Sequence, residues 1–178
     1  MTAFPAHPAW DFVTRLYGAP GIAPACLELQ ERHGIDVTFM LFCLWRGSVC
    51  GRPLGDHMPA IATAAREWHQ AVVLPVRAAR RRLKPDVDAP KRPEAAALYK
   101  TVLSAEIDCE HAELLMLADR TDALCGSADG AGSAAAMAEN LAGFFRASGV
   151  ELTSRDRPAL TAILEAAGAA SELARLFP

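Results

Sequence analysis

The stretch VTFMLFCLW, residues 37–45, is apolar at every position but one. A helix that is apolar on all its faces is normally buried by the elements around it. Asp36 directly precedes the run and is a favourable N-cap residue, because its carboxylate accepts hydrogen bonds from first-turn N–H groups. We therefore predict that a helix from Val37 to about Arg46 is the central element of the fold.

Helix signals continue outward from this run in both directions, and strand signals are nearly missing. Gly and Pro residues separate segments in which apolar residues recur at the helical period. Pro75 is expected to kink or break one of these segments, because proline has no N–H and clashes with the preceding turn. The expected fold is all-α, an irregular bundle of about seven to eight helices around the central apolar helix. The predicted helices are 8–17, 20–33, 37–46, 59–84, 94–124, 134–147, 158–167 and 169–177.

Length and composition favour one globular unit. The chain has 178 residues, of which 52% are hydrophobic and 22% charged. This fits a single helical domain, 1–178, with a core at 8–125 and Ala-rich helices at 133–178. The formal net charge is -3, whereas nucleic-acid binders usually carry a basic excess. The apolar central helix also offers almost no groups for reading base edges, so we expect no nucleic-acid partner.

Targeting signals and cysteine usage point to the cytoplasm. Residues 1–8 lack the basic start and apolar run of a signal peptide. The most apolar stretch, 37–45, has about half the length that a membrane span requires, so we expect no membrane partner. No two cysteines are spaced as C-x-x-C, and we expect reduced, buried thiols. The five cysteines are Cys26, Cys43, Cys50, Cys109 and Cys125.

Several short runs carry a resemblance to a known family. They are Trp10-Asp11-Phe12, CLELQERHGIDV at 26–37 with LFCLW at 41–45, Leu74-Pro75-Val76-Arg77 with Arg80-Arg81, and Glu106 with Glu110. Over roughly residues 8–120 the chain resembles a bacterial family known as domain of unknown function 2390. The resemblance implies a small cytosolic bacterial protein. It implies no mechanism, because the family has no assigned activity.

A row of carboxylates lies where the long predicted helix should be apolar. Glu106, Glu110 and Glu113 are spaced i, i+4, i+7 and fall near the middle of a wide apolar arc of helix 94–124. Buried carboxylates are costly unless they are paired, and like charges one turn apart repel each other. The row therefore needs a basic partner, a metal ion or a raised pKa.

A basic partner is available on the preceding helix, 59–84. Antiparallel packing of neighbouring helices would place Arg77 and Arg80 opposite Glu106 and Glu110. Under one interpretation, these are interhelical pairs that fix the packing and do no chemistry. Under the other, they form a ligand pocket, because the planar guanidinium suits carboxylate and phosphate groups. The ligand-binding residues would then be Arg77, Arg80, Lys84, Glu106, Glu110 and Glu113.

A metal centre in this row is disfavoured by spacing. Di-iron bundles use Glu-x-x-His elements on facing helices, and the nearest pattern here is Asp108-Cys109-Glu110-His111. On a helical wheel His111 falls on the solvent side, away from the glutamates. We therefore predict no metal site and no cofactor.

No nucleophile or phosphate-binding motif is present, so catalytic residues stay unknown. His33 falls on the apolar face of the second helix and is expected to be a hydrogen-bonded core residue. Alternatively, it lines the same pocket as the glutamates. His33, Glu106 and Glu110 would then be the candidates for proton transfer.

Two function hypotheses follow. The first is a non-enzymatic helical module that acts through a protein partner or as a homo-oligomer, with the Ala-rich helices after Gly132 as its contact surface. The second is a protein that binds a small anionic ligand, or an enzyme, with the Arg/Glu/His pocket as its site. A cavity beside the Arg–Glu pairs would favour the second hypothesis.

Overall fold

A computed structural model describes residues 4–87, 93–125 and 132–177 of the chain. Residues 88–92 and 126–131, which fall between predicted helices, lie outside these ranges, whereas residues 85–87, also expected between helices, are helical. Within the described ranges the fold is all-α, as predicted, and contains no strand. The helices are α1 (Pro8–Tyr17), α2 (Ile22–His33), α3 (Val37–Cys50), α4 (Met58–Trp68), α5 (Leu74–Val87), α6 (Pro93–Asp122), α7 (Ala134–Ala147) and α8 (Arg157–Ala167).

The apolar run forms the buried centre of the fold, as predicted. Every residue of α3 from 38 to 47 is buried, and Oδ1 of Asp36 caps the helix by accepting from the Phe39 N–H at 3.2 Å. The helix continues past Arg46, because Gly47 is a packing residue rather than a helix end. A Cβ at Gly47 would lie 2.4 Å from the backbone nitrogen of Met137 in α7, so the glycine permits close approach of α3 and α7.

The Ala-rich C-terminal helices use their apolar faces inside the molecule. Leu141, Phe144 and Phe145 of α7 are buried with α3 in one hydrophobic cluster, and the Phe144 ring lies 5.3 Å from that of Phe39. The last predicted α-helix, 169–177, is instead a 3₁₀ helix, Ala170–Leu176. Short terminal segments commonly adopt this tighter turn.

Pro75 does not break the helix that contains it. The chain passes from α4 through a π-helical turn, His69–Val73, directly into α5. The Leu74 N–H donates to the His69 carbonyl, five residues earlier. Because Pro75 has no N–H, hydrogen bonding to the preceding turn is already incomplete there, and widening that turn costs little.

Two of the five cysteines form a disulfide, which corrects the expectation of reduced thiols. Cys50 at the end of α3 is bonded to Cys125 just after α6, with their Cα atoms 5.0 Å apart. The two residues are 75 positions apart in sequence, so their spacing gave no indication of the bond. Cys26, Cys43 and Cys109 are free.

Candidate functional site

Two arginines of α5 face two glutamates of α6, as the sequence predicted. Arg77 Nε donates to Oε1 of Glu106 at 2.7 Å, and its Nη2 donates to Oε1 of Glu110 at 2.6 Å. Arg80 donates to both carboxylate oxygens of Glu106, through Nε and through Nη2 at 3.2 Å. Arg77 reaches Glu110, whereas Arg80, which comes later in α5, lies beside Tyr99, which comes earlier in α6. The two helices are therefore antiparallel.

The two glutamates differ in their affinity for a proton. Burial opposes ionisation of Glu106, but hydrogen bonds from Arg80 and Arg77 outweigh it and lower its pKa. Burial raises the pKa of Glu110, and the charge of Arg77 offsets only part of the effect. Glu106 is therefore the ionised anchor of the network, while Glu110 takes up a proton more readily.

A cavity of about 460 Å³ adjoins this network. Arg77, Arg80, Arg81, Glu106 and Glu110 line one side of it. The rest of its wall is mainly apolar and comes from several other elements, with Val13 and Tyr17 of α1, Leu41 of α3, and Leu103 and Ile107 of α6 among its members. The molecule thus has both direct Arg–Glu pairs and a pocket beside them.

Lys84 lies one turn beyond Arg80, outside the lining of this cavity. Its Nζ is 5.9 Å from the ring centroid of Tyr99, and the hydroxyl of Tyr99 is 3.4 Å from Nη1 of Arg80. Of the three basic residues of α5 that were predicted to bind a ligand, Arg77 and Arg80 line the cavity and Lys84 does not.

The third glutamate of the row has a different environment. Glu113 is fully buried and does not line the cavity. It lies near Asp36 and His69 instead, and neither carboxyl oxygen accepts a hydrogen bond from the described residues. Burial, the neighbouring Asp36 carboxylate and a hydrogen bond to Asp36 raise the pKa of Glu113 to about 11, so Glu113 is protonated near neutral pH when no cation is bound.

His33 is held away from the glutamate row. Its Nε2 lies 2.8 Å from Oδ1 of Asp156. That buried carboxylate also accepts from Arg32 at 2.5 Å and from the Thr153 N–H at 2.7 Å. His33 thus belongs to a polar cluster that joins the end of α2 to the start of α8, and it does not line the cavity.

His111 is not on a solvent face, which corrects the wheel-based prediction. It is 2% exposed and stacks on Trp10, with ring centroids 4.2 Å apart. The wheel missed this contact because α1 packs on that side of α6.

Sequence reasoning missed the residues that α1 and the π-helical turn contribute. Trp10, Val13 and Tyr17 occur at helical spacing and line the cavity together. The spacing alone does not show which helices this face meets. Asp36 was predicted only as a helix cap, and His69 was not predicted as a site residue.

Comparisons with known proteins give the family and nothing more specific. No curated protein and no solved structure matches the chain. None of the helices in 4–87, 93–125 and 132–177 combines the length and apolar character needed to cross a membrane. A family model described as "Protein of unknown function (DUF2390)" matches residues 8–117, a range that includes the Arg–Glu network and the cavity. The chain therefore belongs to the DUF2390 family of proteins of unknown function.

Proposed function

We propose that this protein binds a small amphipathic molecule that carries an anionic group. The observation that carries the proposal is the cavity of about 460 Å³, which has three arginines and two glutamates on one side and a mainly apolar wall elsewhere. Small-molecule sites typically have volumes of roughly 300–1,000 Å³ and a few polar groups converging on an apolar pocket. The proposal assigns no reaction to the protein.

The arginines retain capacity for an anion. A guanidinium has five N–H donors, and the described bonds of Arg77 use only its Nε and Nη2. Arg81 also lines the cavity, and it makes no ion pair within the described part of the chain. A carboxylate, sulfonate or phosphate placed here would receive charge-assisted hydrogen bonds.

The apolar wall would hold the body of the ligand. Leu27 and Ile107 line the cavity, yet they are 45% and 39% exposed. Large apolar side chains that meet solvent beside a pocket are typical of binding sites. A ligand bound against them would remove this apolar surface from water.

Protein interaction or self-association stays a prediction, and we rank it second. It was expected to use the Ala-rich helices after Gly132. The apolar residues of α7 and α8, including Phe144 and Leu160, are instead part of the chain's own hydrophobic cluster. The surface on which that hypothesis depends is therefore largely used in folding.

A cytoplasmic location also stays a prediction. The Cys50–Cys125 disulfide bears on it, because disulfides persist in oxidising compartments and are rare in the cytosol. Lysis of cells directly into denaturant with an alkylating agent, followed by mass measurement, distinguishes the cases, because the buried thiols are then accessible. Five alkylated cysteines agree with the cytoplasm, whereas three alkylated cysteines indicate an oxidising compartment.

Binding can be tested with 8-anilinonaphthalene-1-sulfonate, a fluorescent probe with an apolar body and one anionic group. Wild-type protein should bind about one equivalent. Arg81→Met should weaken binding by roughly fivefold, the value of one exposed charge interaction. Ile107→Trp should fill the mouth of the cavity and abolish binding.

Arg82→Met is the matched control, because Arg82 is on the same helix, is 78% exposed and does not line the cavity. It should bind the probe as the wild type does. Circular dichroism must show that every variant is folded, since partly folded chains also bind this probe. Absence of binding, or equal binding by all four proteins, would refute the proposal. If the probe binds as expected, native mass spectrometry of the purified protein would identify a natural ligand by its mass.

A further inference from the structure

Three ligand-type side chains from three elements meet behind the Arg–Glu network. Asp36 precedes α3, His69 begins the π-helical turn, and Glu113 lies in α6. One ligand atom from each lies within 4.8 Å of the others. Residues distant in sequence converge here, and π-helical turns frequently occur at functional sites.

The converging atoms have no described hydrogen-bond partners when both carboxyl groups are ionised. Oδ2 of Asp36, Nδ1 of His69 and both carboxyl oxygens of Glu113 are buried without one among the described residues. Glu113 is 0% exposed. An unsatisfied buried polar group costs about 1–3 kcal/mol, so several together in one place need an explanation.

Ordinary packing roles leave these atoms unexplained. Asp36 uses its other oxygen, Oδ1, to cap α3, which leaves Oδ2 aimed at the cluster. Nδ1 of His69 lies 3.3 Å from that oxygen and has no other described partner. Arg77 is also nearby, but its described hydrogen bonds go to Glu106 and Glu110.

We propose that Asp36, His69 and Glu113 bind a first-row divalent cation, with Zn²⁺, Mn²⁺ or Fe²⁺ as the fitting class. One imidazole and two carboxylates form a ligand set that these ions use, and two carboxylates balance a double positive charge once the ion has displaced the proton of Glu113. This differs from the expectation of no metal, which considered only the glutamate row and its Glu-x-x-His spacing.

The distances fit such an ion. Nδ1 of His69 and Oδ2 of Asp36 are 3.3 Å apart. Two ligands bound tetrahedrally at Zn–ligand distances of 2.0–2.1 Å would lie about 3.3 Å from each other. All three ligand atoms lie within 4.8 Å of one another, so only a small shift of Glu113 is needed to bring the third ligand into range.

The cluster lies close to the protein surface, although its ligand atoms are buried. The side chains of His69 and Asp36 are 11% and 12% exposed, whereas Glu113 closes the buried side. Three protein ligands leave at least one coordination position for water or another molecule, as in catalytic rather than structural metal sites.

The test uses the full chain after treatment with a chelator, titrated separately with Zn²⁺ and Mn²⁺ in a calorimeter. Wild-type protein should bind one equivalent of at least one ion, and the ion should raise the midpoint of thermal unfolding. Glu113→Gln keeps the size of the side chain and should weaken binding by roughly 100-fold or more, since even outer-shell changes cost 10–100-fold. If that variant fails to fold, His69→Gln replaces it.

His57→Asn is the control, because His57 is exposed and lies outside the cluster; it should bind as the wild type does. X-ray absorption of the zinc form should show only N and O ligands near 2.0–2.1 Å, without the Zn–S distance of about 2.3 Å that a free cysteine would give. The proposal is overturned by absence of stoichiometric binding, by equal binding in both ligand variants, or by a sulfur ligand.

Discussion

Replacing Arg77 by Met tests whether the Arg–Glu network holds α5 against α6. Methionine keeps most of the aliphatic length of the side chain and removes the guanidinium. The change deletes the hydrogen bonds to Glu106 and Glu110, at 2.7 and 2.6 Å. The side chain of Arg77 is only 13% exposed, so water replaces these bonds incompletely.

The size of the effect follows from what each glutamate retains. Hydrogen bonds to charged groups contribute about 1.5–3 kcal/mol each. Glu106 keeps Arg80 as a partner, so its loss should be at the lower end. Glu110 loses the hydrogen bond from Arg77, but its side chain is 25% exposed and regains some hydration. We expect a total loss of about 3 kcal/mol, or a decrease of roughly 6–12 °C in Tm.

The loss of stability in Arg77→Met should increase as pH rises from acid to neutral. The pKa of Glu110 in the folded protein is already above its ordinary value of 4.5, and removal of Arg77 raises it further. The folded variant then retains a proton that the unfolded chain releases above about pH 4.5, so its stability falls as pH rises. The stabilisation from the lowered pKa of Glu106 is present above 4.5 and is lost as pH falls through the folded pKa. Both effects make the deficit of the variant larger near neutral pH than in acid.

Urea unfolding followed by circular dichroism, at about pH 4 and about pH 7.5, measures the free energy of unfolding of the wild type and of Arg77→Met at each pH. Arg82→Met on the exposed face of α5 should remain within about 0.5 kcal/mol of the wild type at both values. Adding Glu110→Leu to Arg77→Met should restore part of the stability, because the unpaired carboxylate is then absent. A deficit below about 1 kcal/mol near neutral pH, or one that does not change with pH, would refute the reasoning.

Three further changes test other parts of the fold. Asp156→Asn should cost about 2–4 kcal/mol near neutral pH. The pKa of Asp156 is lowered through His33 and its other hydrogen-bond donors, despite burial, so the loss should shrink in urea titrations as pH falls through that folded pKa. Gly47→Ala should cost about 3 kcal/mol or more by thermal unfolding, because its Cβ would meet the α7 backbone. Replacing Cys50 and Cys125 together by Ser should cost about 2–4 kcal/mol, and a reductant should then destabilise the wild type but not this variant.

Local signals were sufficient for much of the fold. The bounds of α1 and α7 agree with the prediction, because a capping residue and a change in apolar periodicity mark where each helix begins. The apolar run from residue 37 identified the buried helix. Gly47 misled the prediction, since a glycine that ends a helix and one that admits a neighbouring backbone look alike in sequence.

The site was only partly predictable, for a different reason. Spacing and charge gave the pairing of Arg77 and Arg80 with Glu106 and Glu110, because both rows belong to consecutive antiparallel helices. The wall that α1 contributes, the stacking of His111 on Trp10 and the Cys50–Cys125 bond depend on contacts between distant segments. A wheel drawn for one helix has no information about these contacts.

The three glutamates of α6 show where a purely structural explanation ends. Going down the row, Glu106 accepts from two arginines, Glu110 accepts from one, and Glu113 accepts from none of the described residues. Near Glu113 the packed segment of the same chain is the π-helical turn, which provides His69 and not a third arginine. If the row served only to fix packing, an apolar residue at position 113 would do so without burying unsatisfied oxygens. Without a cation, Glu113 is a protonated acid that shares a hydrogen bond with Asp36, and the cation proposed for Asp36, His69 and Glu113 would replace that proton.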